Sequence, residues 1–215
     1  MGHTPHVYIP APWESAGIAV GEEARHHLEK VLRRTSGEIS YTDGAGRVGC
    51  GAYAEGRIVR GRESEVPRPT PWLTLAVAVP TSSSRARMVV EKLAEVGVDR
   101  LVWLETERSR GRPPRSSRAT SWAVAALEQS RGAWLLEVAG PIGLPEVAAG
   151  GPGVVVADPG GGPSETALSF SSGGRLTVVV GPEGGLAPDE VAEGTPRLSL
   201  GGRILRVETA AIVAS

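Results

Sequence analysis

The chain has 215 residues, 40% of them hydrophobic, enough to bury the core of one large domain or two small ones. Its 23 Lys and Arg against 24 Asp and Glu leave a formal charge of −1, which excludes a histone-like polycation or an acidic disordered tail. The one cysteine, Cys50, cannot form an internal disulfide, no Cys/His cluster offers a metal site, and no apolar run approaches the roughly 20 residues that cross a bilayer. Met1 to Pro12 lacks the basic-then-apolar order of a signal peptide, and His6 stands where a myristoylation signal requires Ser or Thr. A reducing, cytoplasmic setting and no membrane are expected.

In chain order, His6 to Ile9, Glu38 to Thr42 and Val48 to Ala54 read as short strands, with a helix over Glu22 to Leu32 between the first two. That pattern predicts a small barrel-like domain over residues 1–70. Val66 to Pro71, reading VPRPTP, is a Pro-rich spacer and marks the boundary. Beyond it the chain alternates: strand Leu73 to Val79, helix Ala86 to Val96 with Val89, Leu93 and Val96 on one face and Gly97 as its cap, strand Leu101 to Leu104, and helix Ser121 to Ser130. Val154 to Ala157 and Thr177 to Val180 are continuous apolar runs, the pattern of strands buried on both faces of a parallel sheet. Residues 72–215 therefore read as an α/β domain, with the Gly-rich stretch 149–162 a loop carrying one strand.

Basic charge is concentrated locally. Arg108, Arg110, Arg112, Arg115 and Arg118 fall in a Pro-interrupted stretch expected to be an exposed loop. It is either a solvated loop or a phosphate contact surface, because the guanidinium fork matches phosphate oxygens. Gly44, Gly46 and Gly49 spell G-x-G-x-x-G, but Asp43 and Gly44 look like a hairpin turn and a strand follows, whereas a dinucleotide site needs a helix there. His26 and His27 are adjacent, so on a helix they point about 100° apart and do not share a metal as an i, i+4 pair would. No nucleophile elbow, phosphate loop or zincin motif is present.

The informative segment follows strand Thr177 to Val180: Gly181, Pro182, Glu183, Gly184, Gly185 and Leu186, with Pro188 placed to open a helix. Strand ends of parallel sheets are where ligands bind, although a tight turn with no ligand would read the same way. A second Gly-containing segment, Leu200 to Ala210, and Asp158 with Pro159 and Gly160 after the preceding strand, are expected to converge with it on one pocket.

GPEGGLAPDE followed by LGGRILRVETA resembles the trefoil-knotted SPOUT class of RNA methyltransferases. Within that class the chain is similar to the family that methylates N3 of a uridine in small-subunit (16S) ribosomal RNA. EARHHLEKVLRR (23–34), EKLAEVGVDRLVWLETERS (91–109) and EQSRGAWLLEV (128–138) carry the resemblance across nearly the whole chain. It implies a PUA-like β-barrel for RNA over residues 1–70 and a knotted α/β methyltransferase domain that forms a homodimer over 72–215. It also implies S-adenosylmethionine as cofactor, held by Asp158, Pro159, Gly181, Pro182, Glu183, Gly184, Gly185, Leu200, Gly201, Ile204, Leu205 and Arg206. The chain departs from the pattern with Ala187 where Ser or Thr is usual before Pro188.

For the chemistry so implied, an activated methyl donor leaves positioning and charge to the protein. Arg206 is the candidate cation for a developing uridinate, and Glu208 the nearest candidate base. Glu208 is read equally as a carboxylate favoured by a helix N-terminus. Arg25, Arg33, Arg34, Arg108, Arg110 and Arg112 are the candidate RNA contacts. A related enzyme acting on another RNA or base atom, a non-enzymatic RNA-binding or ribosome-assembly protein, and a binder of some other nucleotide remain as alternatives.

Overall fold

In the computed structural model, which describes residues 4–13, 17–31, 33–149 and 153–215, the two halves of the sequence build two different sheets. Leu32, the expected helix end, and residues 150–152 of the Gly-rich stretch lie outside the described residues. Spatial proximity along the chain groups 1–68 with 124–135 as one unit, and 69–123 with 136–215 as another. A single boundary near residue 70 therefore does not describe the grouping, because Val124–Leu135 joins the first unit.

The first unit holds β1 (His6–Tyr8), β2 (Ile18–Ala19), β3 (Ser36–Thr42), β4 (Arg47–Ala54) and β5 (Arg57–Glu65), ordered β1-β3-β4-β5-β2. β1 pairs parallel with β3 and the remaining neighbours are antiparallel. Alternation sends Ile39, Tyr41, Tyr53 and Ile58 into one core with Val7, Trp13 and Leu28. The expected single helix is α1 (Glu22–His26) followed by a π-helical turn over His27–Val31; His26 and His27 are exposed on it. β2 and β5 have no clear sequence signal, the one because it is two residues long, the other because charged residues dominate it.

The glycines of the G-x-G-x-x-G pattern each have a packing reason. Gly44 has φ +70°, Gly46 has φ +102° and a Cβ there would strike the Trp134 ring, and Gly49 would place one 2.5 Å from the Tyr41 ring. The turn they form receives the returning segment: Gly46 N–H donates to the Ala133 carbonyl and Leu135 N–H to that of Gly44, both at 2.9 Å. Tyr8 N–H donates to Glu128 Oε1 at 2.9 Å. His6 contacts Ser40 Oγ through Nδ1 at 2.9 Å and the Gly132 carbonyl through Nε2 at 3.3 Å.

The second unit is a six-stranded, wholly parallel sheet ordered β11-β9-β10-β6-β7-β8, made of β6 (Trp72–Ala78), β7 (Arg100–Glu105), β8 (Glu137–Gly143), β9 (Val154–Pro163), β10 (Arg175–Val180) and β11 (Arg197–Ser199). Leu75 to Ala78, Leu101 to Leu104 and Val178 to Val180 are buried without interruption, as strands covered on both faces must be. α2 (Ser83–Glu95) buries Ala86, Val89, Val90, Leu93 and Ala94, an i, i+3, i+4, i+7, i+8 stripe. Val96 caps it and is exposed rather than on that face, and Gly97 follows at φ +84°. α3 (Ser116–Ser130) begins five residues before the expected start at Ser121, and only its part up to Ala123 belongs to this unit. α4 (Leu144–Ala149) and α5 (Val207–Val213) follow in the same unit.

Two segments differ from expectation. The Gly-rich segment is not a loop: β9 continues through Asp158–Pro163 and pairs with β11, because Gly161 lets the two backbones approach until a Cβ would lie 2.5 Å from Leu198. Pro188 opens no helix. Residues 188–190 form turns, with the Glu190 carboxylate accepting from Ala187 N–H and from Glu107 N–H.

Burial, with the Arg131 guanidinium nearby, holds the His6 imidazole below its usual value of 6.5 despite the Gly132 contact. The unfolded chain therefore binds the proton more readily, so His6 supports the fold fully above its unfolded value and loses that support as pH falls through it toward the lower folded value. The urea midpoint should drop between about pH 7.5 and 5.5, and His6→Gln should lessen that drop relative to the parent chain.

Candidate active site

Because all strands of the second sheet run the same way, the C-terminal ends of β10 and β11 open on one edge, beside the stretch of β9 between its pairing at Val156 and its shifted pairing with β11 at Gly162. There Val156 to Pro159, Val180 to Pro188 and Leu200 with Gly201 and Arg203 to Leu205 line a cleft of about 520 Å³, within the range of small-molecule sites. Val207 and Ala210 of α5 contribute to its wall.

Each loop has a local cause. Gly181 follows the buried end of β10, and a Cβ there would lie 3.0 Å from Leu186 Cγ, so the chain curls back tightly. Gly185 N–H closes a turn onto the Pro182 carbonyl at 2.8 Å with φ +70° at Gly185. The result is an exposed polar rim at Glu183, Gly184 and Gly185 over an apolar floor of Val156, Val180 and Ala187. Ile204 lines the mouth at 92% exposure, an apolar side chain that a ligand would cover.

Asp158 sits on the rim with Arg197, a residue with no signal in the sequence because β11 is three residues long. Gly160 N–H donates to Asp158 Oδ1 at 2.8 Å; this bond, with the Arg197 guanidinium, holds the Asp158 carboxyl below its ordinary range. The site thus combines a fixed anion and cation, the backbone of a glycine loop and apolar walls, a lining suited to an organic ligand with both charged and apolar parts. Among the described residues no group of three or more His, Cys, Asp or Glu is placed to hold a metal ion.

Of the expected cofactor residues, Asp158, Pro159, Gly181, Pro182, Glu183, Gly184, Gly185, Leu200, Gly201, Ile204 and Leu205 all line this cleft. Arg206 does not: it is exposed and N-caps α5. Glu208 is not brought to the cleft either. It is buried in the first turn of α5, with Oε1 3.4 Å from Arg85 Nε and Oε2 enclosed without a hydrogen-bond partner among the described residues. This is the helix-start placement that the dipole favours, not that of an accessible base.

Arg108, Arg110 and Arg112 lie in the loop between β7 and α3, and all three are exposed. A turn closed by Ser109 N–H on the Thr106 carbonyl holds the loop's start, and Gly111 packs so closely that a Cβ would strike the Val79 carbonyl oxygen. Arg108 Nη1 donates to the Gly184 carbonyl at 2.9 Å. In the first unit Arg25 is exposed and pairs with Glu29 at 3.0 Å, Arg33 is exposed at φ +54°, and Arg34 is half-buried.

A parallel α/β sheet with glycine-rich strand ends around one apolar-walled cleft defines a domain built to hold a nucleotide-like cofactor. The chain belongs to the RNA methyltransferase family, whose domain profile matches residues 67–215. It is 30% identical over 231 aligned residues to ribosomal RNA small subunit methyltransferase E of Mycobacterium bovis, covering 96% of this chain and 88% of that protein. Among solved structures, the probable rRNA-methyltransferase of Porphyromonas gingivalis superposes with a TM-score of 0.83 at 27% identity over 98% of this chain and 94% of the other. Ribosomal RNA small subunit methyltransferase E of Neisseria gonorrhoeae, bound to S-adenosyl methionine, gives 0.84 at 25% identity over 99% and 95%. No helix among the described residues is long and apolar enough to cross a membrane.

Replacing Gly185 by Val should cost about 1–2 kcal/mol, the penalty of a left-handed backbone for a residue with a Cβ. A lowered urea midpoint would register it, and an unchanged midpoint would refute the strain.

Proposed function

We propose that the chain is an S-adenosylmethionine-dependent methyltransferase that modifies N3 of a uridine in small-subunit ribosomal RNA. The observation that carries this reading is the convergence of three segments, the irregular stretch of β9 at Asp158 and the strand-end loops at Gly181 to Gly185 and Leu200 to Leu205, on one cleft of cofactor size. The family membership and the bound S-adenosyl methionine of the Neisseria relative support it. The trefoil knot, a PUA-like role for the first unit, a homodimer and a cytoplasmic setting belong to the same reading.

Bound S-adenosylmethionine supplies an electrophilic methyl group. The chain's contribution is then position and charge. The backbone of Gly181 to Gly185 approaches a ligand closely, Asp158 meets positive or hydroxyl groups at the rim, and Val156, Val180 and Ile204 shield an aromatic ring from water. Uridine N3 becomes nucleophilic once its proton passes to solvent water, and the resulting charge spreads onto the flanking carbonyl oxygens. Arg206, exposed between the cleft-lining Leu205 and Val207 though not itself part of the cleft wall, is the candidate cation for that charge and, remaining protonated, does not itself take the proton. Glu208 is held by Arg85 and orients α5 beside that site. Because N3 lies on a pairing edge, the target must be unpaired or flipped out of its stack.

Incubation with methyl-labelled S-adenosylmethionine and small ribosomal subunits lacking the modification should label the RNA and create one primer-extension stop beside a uridine. Label without a stop would exclude N3, and no label would exclude the ribosomal substrate. If the arginine loop meets phosphates, RNA affinity should fall steeply with salt, and replacing Arg110 and Arg112 by Ala together should flatten the log–log slope by about one for each phosphate these arginines neutralise. A slope unchanged in that variant would remove both from the interface.

A further inference from the structure

Two interactions tie the start of the arginine loop to the glycine loop of the cleft. The Glu190 carboxylate accepts from Ala187 N–H through Oε2 and from Glu107 N–H through Oε1, each at 2.8 Å. The first bond is half of a capping box: Glu190 stands three residues after Ala187, which has no hydroxyl to reciprocate. The second oxygen is thereby available to the neighbouring loop, and one side chain fixes the spacing between residues 107 and 187. Beside it, Arg108 lays its stem over Gly184, with Cδ 3.5 Å from where a Cβ would stand, and donates Nη1 to the Gly184 carbonyl.

A guanidinium carries five N–H donors in a rigid fork, and the Gly184 carbonyl takes one. Arg108 is exposed and its Nε edge makes no hydrogen bond among the described residues, and such an edge receives a phosphate through two parallel bonds. Resting on the proposed function, we infer that Arg108 and Glu190 are positioning residues that couple RNA binding to cofactor binding. An RNA phosphate seated on the outer edge of Arg108 orders its inner edge against Gly184 and so holds the glycine loop in its cofactor-binding shape. Glu190 keeps the two loops at the distance at which one arginine serves both. Coupling of this kind is reciprocal: each ligand tightens the other by the same factor.

The test is calorimetric titration of S-adenosylmethionine into the full chain, with and without saturating small-subunit ribosomal RNA that already carries the methyl group, so that no turnover adds heat. The parent chain should bind the cofactor about five-fold or more tightly with RNA present, at the lower end of typical allosteric coupling. Arg108→Ala and Arg108→Lys should each give one affinity in both conditions; lysine keeps the charge but is a point donor without a second edge. Glu190→Gln, close in shape to the parent residue, should weaken cofactor binding and reduce the RNA effect, since an amide offers one acceptor where two N–H groups compete. A purely structural arginine would weaken binding equally with and without RNA, leaving the ratio between the two intact. That ratio surviving in Arg108→Ala, or a parent chain that binds both ligands without coupling, overturns the inference. A parent chain that binds no S-adenosylmethionine overturns the cofactor assignment itself, and the coupling with it.

Discussion

Parallel pairing of β9, β10 and β6 determines where chemistry can occur in this molecule. Strands that run the same way leave the sheet at the same edge, so the loops after Val180 and Ser199 meet the irregular stretch of β9 after Ala157. The cost of such a sheet is that its strands must be apolar on both sides, and the uninterrupted valines of β10 and β9 meet it. Everything polar in the site is consequently carried by backbone and by a few rim side chains, of which Asp158 and Arg197 are a pair.

Glycine does two separate jobs in the two units. Around the cleft it lets a loop curl onto itself and present its backbone, as Gly181 and Gly185 do. In the first unit the same residue type makes room for rings: Gly46 under Trp134 and Gly49 under Tyr41. Rings packed against bare backbone account for these glycines, and the strand β4 that follows them is not the helix whose N-terminus a dinucleotide fingerprint opens.

Continuous apolar runs make β6, β7, β9 and β10 legible directly, and the site is legible because loops that follow such strands carry Gly and Pro in fixed order. What the sequence hides is set by tertiary pairing instead. β8 is rich in Gly and Pro and has low strand propensity, yet it extends along β7; β11 is too short to have a period. Arg197 becomes a site residue only through that short strand. Glu208 looks available as a base in one dimension and is enclosed beside Arg85 in three. Glu190 carries a partial signal in its spacing from Ala187, but its second partner, Glu107, is 83 residues away.

The return of Val124–Leu135 to the first unit changes what kind of object that unit is. Its edge hydrogen bonds at Gly44, Gly46 and Tyr8 are completed by residues that the chain synthesises only after passing through β6, α2 and β7. The N-terminal unit is thus not a cassette that recombination could lift out at the Pro-rich spacer. Cut there, it would part from Trp134 and leave the glycine turn without its cover. A segment cut at the spacer would carry the N-terminal strands without the later residues that complete their edge.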